Sequence, residues 1–450
     1  MVVSLDPDFN HFIFQQERKT VRLWYSDSFS SIFGDVINSQ TDTQILKYFR
    51  NSLVNIFGTK SLKENFFPKL EVLANQYLQT WSTQPSVELK ASITSAIFDL
   101  TAEHLFHYDA NSSSDKNLGI MFADFFKSIM TFPINIPGTA FYRCMQNQKK
   151  AIQLMREILH ERYRSTEKKG DFLDQVIEDM KSETKEFMTE DFVMYYLFGI
   201  LLSTFATISS NLTLALTFLT DHPAVVKELL EEQEEISKSR GDNRDTPLTW
   251  EEYKTMKFMS QVLTETLGMS NIAPALLRKT TKDIHVNGYV IPEGWGIMLV
   301  SSAVHMNPDK FPDPQKFDPW RWNDINTSAP LKDFMPFGGG MRHCVGADFS
   351  KTLMAIFIRA LITNFSDETY YPYRDISVLV MDINMTLFFP HMDREKIDLK
   401  EFEQILRVKL RLTENEIPNL YWMIEPCLPE IMDSNEDLFK FWEHAVADDK

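Results

Sequence analysis

From Phe192 to Thr220 the chain runs 29 residues without a charged side chain, and no other stretch limits its possible folds as strongly. A helix of that length could cross a bilayer by count alone. It also carries Ser203, Thr204, Thr207, Ser209, Ser210, Asn211 and Thr213, which make a poor lipid-facing surface. The expectation is a central helix buried among other helices. Apolar residues recur at three-to-four spacing over Thr41–Phe57, Pro68–Trp81, Asn117–Met130, Arg143–Thr166, Gly170–Lys181, Thr189–Asp221 and Pro223–Ser239, which supplies the neighbours such a helix needs. Asp221 and His222 before Pro223 mark a break, with Pro at the start of the following helix.

Beyond Ile284 the pattern changes. His285 to Trp295 reads as a hairpin around Asn287-Gly288, and a strand over Ile297–Ser301 follows. Thr249 and Glu252 resemble a capping box. Many helices, a small sheet, a glycine-rich loop and a last helix over Ala347–Asn364 give a mainly α fold with a small β region.

The 450 residues are 44% hydrophobic, ample for a large core. Three scattered cysteines, Cys144, Cys344 and Cys427, argue against a disulfide scaffold and lack zinc-site spacing. The formal charge of −17 argues against a nucleic-acid partner and a basic membrane-binding surface. Ser366 to Lys450 holds 19 acids against 9 Lys or Arg, so this stretch carries most of the excess. The boundaries expected are a domain over 1–365 and an acidic extension over 366–450. Met1 to Asp8 is neither a signal sequence nor a spanning helix, so no transmembrane anchor is expected in this chain.

The segment with the most chemistry is Phe337 to Gly346, in which Cys344 follows a glycine turn. A thiolate offered from such a loop can ligate haem iron and favour O–O cleavage. Arg342 suits a propionate, since guanidinium binds carboxylate well. The glycines permit close approach and positive φ. The bland alternative is a small buried structural cysteine.

The spacing of Phe337, Gly340, Arg342, Cys344 and Gly346 resembles the haem-binding signature of cytochrome P-450 enzymes, and the wider element order is similar over roughly the first 365 residues. The texture of Ile272 to Lys279 is closest to the plant clan that oxidises sterols and triterpenoids. The resemblance implies haem b (iron protoporphyrin IX) with Cys344 as the axial ligand and Phe337 shielding the thiolate. It places Arg342 and Arg278 on propionates, with Arg50 a further candidate. Thr207 would assist dioxygen activation, Glu265 and Arg321 would form a structural network, and Phe132, Ile134, Ile136, Ala273 and Leu276 are candidates for an apolar substrate wall. Electrons would come from NADPH through a flavoprotein reductase, the substrate would be an apolar small molecule, and the location would be the cytosolic face of the endoplasmic reticulum. Cytosolic or peripheral placement applies if this chain is the full product.

Three departures accompany the match. In the central helix Ala206 replaces the acid that normally precedes Thr207, and Ile208 replaces a second hydroxyl residue. Gly268 stands where a buried arginine is expected three residues after Glu265, and removing one member of a buried charge network is costly. The chain begins inside the family's domain, and from Met392 onward the pattern ends; Arg407–Leu412 alternates like a strand and Asp433–His444 could form a helix. Two other readings therefore stand beside a monooxygenase: a degraded family member with little or no haem, and a haem-thiolate enzyme that rearranges peroxides.

Overall fold

The uncharged run forms a single helix, Glu190–Asp221, in the computed structural model. Thr189 caps it by accepting the Phe192 N–H at 3.2 Å, and Glu190 and Asp191 complement the dipole in its first turn. Most of its apolar stretch is covered by protein, as a buried core helix requires. Residues 1–364 are described apart from 26–29, 31, 34–42, 85, 109–117, 130–133, 183–184, 241–245, 271 and 324–331. Phe132, the 366–450 extension, and the strand and helix expected within it lie outside the described residues.

Helices Leu89–Phe106, Leu118–Ile129, Ala140–Arg164, Pro223–Ser239, Lys257–Met269 and Ala347–Asn364 all pack against the central helix. Phe198 and Phe205 anchor it, with ring centroids 4.7 Å from Phe122 to Phe198 and 5.7 Å from Phe98 to Phe205. Each such phenylalanine is fully buried and worth about 1.5–3 kcal/mol in transfer free energy. The helices expected from periodicity form within a few residues of their predicted ends, as Thr43–Phe57, Phe67–Ser82, Leu118–Ile129, Ala140–Arg164, Phe172–Met180 and Pro223–Ser239. The Leu89–Phe106 helix was not legible as an amphipathic stripe. It packs against helices on several sides, so its apolar residues run all the way round.

A four-stranded sheet stands beside the helices in the order β1-β6-β3-β2. Its strands are β1 (Val2–Ser4), β2 (Val21–Leu23), β3 (Leu276–Thr280) and β6 (Gly296–Leu299), with β1 parallel to β6 and the other pairs antiparallel. The expected hairpin is β4 (Ile284–Val286) with β5 (Tyr289–Ile291). Asn287 and Gly288, at φ 50° and 78°, make the two-residue turn that matches strand twist. The first 23 residues thus supply two sheet strands and a helix, Pro7–Gln15, capped by Asp6.

Two apolar cores result. The larger is the helical one. The smaller gathers Ile13 and Phe14 from the first helix with Val21, Ile284, Ile291, Ile297, Leu299, Val304 and Met335. The cysteine loop leaves the smaller core at Met335 and enters the larger at Phe349.

Candidate functional site

The loop is shaped by the helix beneath it. Gly338 and Gly340 have φ of 69° and 65°, and a Cβ on Gly340 would lie 2.5 Å from the Phe14 carbonyl oxygen. Gly339 is equally constrained, since its Cβ would lie 2.6 Å from the Phe14 ring. The Cys344 N–H donates to the Phe337 carbonyl at 3.1 Å and the His343 N–H to the Gly340 carbonyl at 3.1 Å, closing the turn. The Gly346 N–H is directed at the cysteine sulfur. Cys344 is exposed by surface area, yet burial pushes its thiol above the ordinary value, with the Gly346 N–H opposing. The sulfur is thus reachable by solvent while protein atoms lie close around it. The Phe337 ring lies 5.6 Å from the Lys351 ammonium, and its carbonyl holds the turn shut.

Arg278 and Arg342 are brought together by a residue the sequence did not single out. Glu17 is buried, and its Oε1 accepts the Arg342 Nε–H at 2.6 Å. Its Oε2 lies 2.7 Å from Arg278 Nε, an ion pair without hydrogen-bond alignment. Arg278 is only 3% exposed, which rules out a solvated surface arginine. Tyr25 lies in the same electrostatic neighbourhood, its hydroxyl pushed up by burial. Arg50 reaches the loop differently, donating to the carbonyls of Met341 at 3.1 Å and His343 at 3.3 Å.

Along the uncharged run only Ser203 and Thr207 are exposed, one turn apart on one face. Ala206 and Ile208 are buried. The Thr207 hydroxyl donates to the Ser203 carbonyl at 2.7 Å, the usual back-bond of a helical threonine. A hydroxyl so placed retains acceptor capacity toward the open face.

Glu265 keeps its network without an arginine at 268. Its Oε1 accepts from the Asp318 N–H at 3.0 Å and Arg321 Nε at 2.9 Å, and its Oε2 from the Trp322 indole at 2.7 Å. Burial pushes its carboxyl up, against these three donors. A Cβ on Gly268 would lie 3.0 Å from the Phe334 ring, so that ring takes the first part of an arginine's path. Phe334 packs between Trp322 and His305, at centroid distances of 4.9 and 5.0 Å. The uncompensated charge expected from the sequence is thus not found, because Trp322 and the Asp318 amide stand in as donors. Sequence spacing could have offered Trp322, which adjoins Arg321, but not Phe334.

Of the apolar candidates, Ala273 is exposed and Leu276 half-buried, with Leu276 Cδ1 3.1 Å from where a Gly338 Cβ would stand. Ile134 and Ile136 are 43% and 59% exposed, on the segment before Ala140–Arg164. Among the described residues no three His, Cys, Asp or Glu cluster as a metal site. An iron held in a macrocycle needs only one protein thiolate, and the exposed Cys344 with the guanidiniums of Arg278 and Arg342 gathered at Glu17 fits haem.

A long buried helix, a cysteine offered from a glycine turn and a small sheet carrying the buried Arg278 define a mainly helical protein with a small β region. The Cytochrome P450 family model matches residues 1–430, and this chain belongs to that family. It is 42% identical over 367 residues to cucurbitadienol 11-hydroxylase of Siraitia grosvenorii, covering 81% of this chain and 77% of that one. It is 37% identical to a beta-amyrin 16-alpha-hydroxylase of Maesa lanceolata, with 81% and 77% covered. A cholesterol 22-hydroxylase of Paris polyphylla is 31% identical, with 81% and 76% covered. The fold is also that of the retinoic acid-bound cyanobacterial CYP120A1, with a TM-score of 0.69 at 23% identity over 79% of this chain and 80% of that one. The mainly α fold with a small β region and the likeness to plant sterol and triterpenoid oxidisers are therefore established, and the family implies a haem cofactor.

Proposed function

We propose that this chain is a haem-dependent monooxygenase that inserts one oxygen atom from dioxygen into an apolar polycycle of the triterpenoid or sterol class. Electrons come from NADPH through a flavoprotein reductase, at the cytosolic face of the endoplasmic reticulum. The observation that carries this reading is the closed loop around Cys344, held by the Cys344 and His343 amides, which leaves the sulfur exposed. Relatives named as triterpenoid and sterol hydroxylases support the substrate class.

When bound, haem with a thiolate ligand supplies oxygen activation and O–O cleavage. Cys344 would be the ligand, and Arg278 and Arg342 would hold the propionates. Hydrogen bonding from Gly346 tempers the charge on the sulfur. Thr207, beside Ser203 on the open face, would hold water near the reacting centre; no carboxylate precedes it, so protons must arrive from solvent. Ala273 and Leu276 would present an apolar wall.

Ala206 favours a second reading, a haem-thiolate enzyme that rearranges peroxides and needs no relay. The test is turnover of the full chain with cucurbitadienol, β-amyrin or cholesterol. A hydroxylated product that requires reductase and NADPH is expected. Rearrangement of an organic hydroperoxide alone, without reductase or NADPH, supports the second reading, and a haem-loaded chain inactive under both regimes overturns the two together.

A further inference from the structure

We infer that Lys351 supplies a positive charge beside the cysteine loop that raises the reduction potential of a haem held by Cys344. The inference rests on the haem reading of the site and adds to it a residue of the last helix.

Lys351 lies in the second turn of the Ala347–Asn364 helix, seven residues beyond Cys344. Its ammonium stands 5.6 Å from the centroid of the Phe337 ring, within the range of a cation over an aromatic face. The Phe337 carbonyl accepts the Cys344 N–H at 3.1 Å, so the ring beneath the ammonium and the sulfur belong to one closed turn. Lysines ordinarily carry their charge out into water along an apolar stem. This one is half-buried, and burial pulls its ammonium below the ordinary lysine range, with Asp348 opposing. Among the described residues it makes no ion pair; Asp348, one turn earlier, accepts the Thr59 hydroxyl at 3.3 Å instead. A partly desolvated charge is screened less than one in water. Arg50, another cation at this loop, is exposed and gives its Nη1 to the Met341 and His343 carbonyls at 3.1 and 3.3 Å, so solvent screens it more. Adding one electron to a ferric haem makes the site more negative by one charge, the electron coming from the flavoprotein reductase. A cation held nearby favours that reduced state, which is a higher potential.

The experiment is a reductive titration of the haem-loaded full chain with reference dyes and without reductase, on wild type, Lys351→Met, Lys351→Arg and Asp348→Asn. The carbon monoxide Soret band of each reports whether the thiolate still ligates. Lys351→Met keeps an unbranched stem against the ring without the charge. It should lower the equilibrium constant for reduction by about tenfold, which is about 59 mV for one electron. Lys351→Arg keeps the charge and should stay within about twofold of the wild type. Asp348→Asn removes the opposing, exposed anion and should move the potential the other way, by about twofold. A Met variant that ligates through the thiolate at the wild-type potential overturns the tuning role, as does an Arg variant that falls as far as Met. If Lys351→Met does not take up haem, Asp348→Asn decides, and an unchanged or lowered potential there overturns the role. No Soret band in the wild type overturns the haem reading and this assignment with it.

Discussion

Glu265 concentrates in one carboxylate what the helix around it lacks in charge. Its oxygens take an amide, a guanidinium and an indole, so removing its charge leaves the half-buried Arg321 with neutral carbonyl acceptors alone. Glu265→Gln should lower stability by about 3 kcal/mol, the range for breaking a buried pair on one side. Urea unfolding of the wild-type and variant chains measures it, and a loss below about 1 kcal/mol would show that the network is not what stabilises this region. Residues differ sharply in how legible they are from sequence. Cys344 and its four companions are contiguous, so the loop can be read directly. Glu17 meets Arg342 across 325 positions of chain, and nothing local distinguishes it from a surface acid. Arg50, a further candidate for a propionate, donates hydrogen bonds to carbonyls of the loop itself.

Elements were legible where apolar spacing, a turn pair or a cap marks them in the sequence. The hairpin declared itself through Asn287-Gly288, and the Trp250–Thr255 helix through the capping box of Thr249 and Glu252. Leu89–Phe106 hides because it is packed on several sides. That burial also has a pH consequence. His104 on this helix lies against Phe66 at a centroid distance of 4.0 Å, and His305 ends the Ser301–His305 helix; burial pushes both from 6.5 down to about 4. Between about 4 and 6.5 the unfolded chain binds more protons than the folded one, so stability is full above 6.5 and is lost as pH falls toward about 4. Thermal melts across that window should show a falling midpoint, with a shallower fall in His305→Gln. A flat midpoint in the wild type would mean that these rings do not stay neutral in the fold.

For the whole molecule, the decisive feature is that one loop ties the helical core to the smaller core around the sheet. The first helix and strands, for which no periodicity is read in the sequence, form the floor of that loop through Phe14 and Glu17. The departures at positions 206 and 268 fall on either side of this junction in function. Ala206 removes a proton donor and bears on chemistry, while Gly268 is accommodated by Phe334 and by other donors to Glu265. The central claim is that Cys344 ligates haem, and the most direct measurement is the spectrum of the reduced, carbon monoxide-treated full chain beside Cys344→Ser. The wild type should show the red-shifted Soret band of a thiolate-ligated haem, and the serine variant should lose it. A wild-type chain without that band, or a serine variant that retains it, would contradict the assignment.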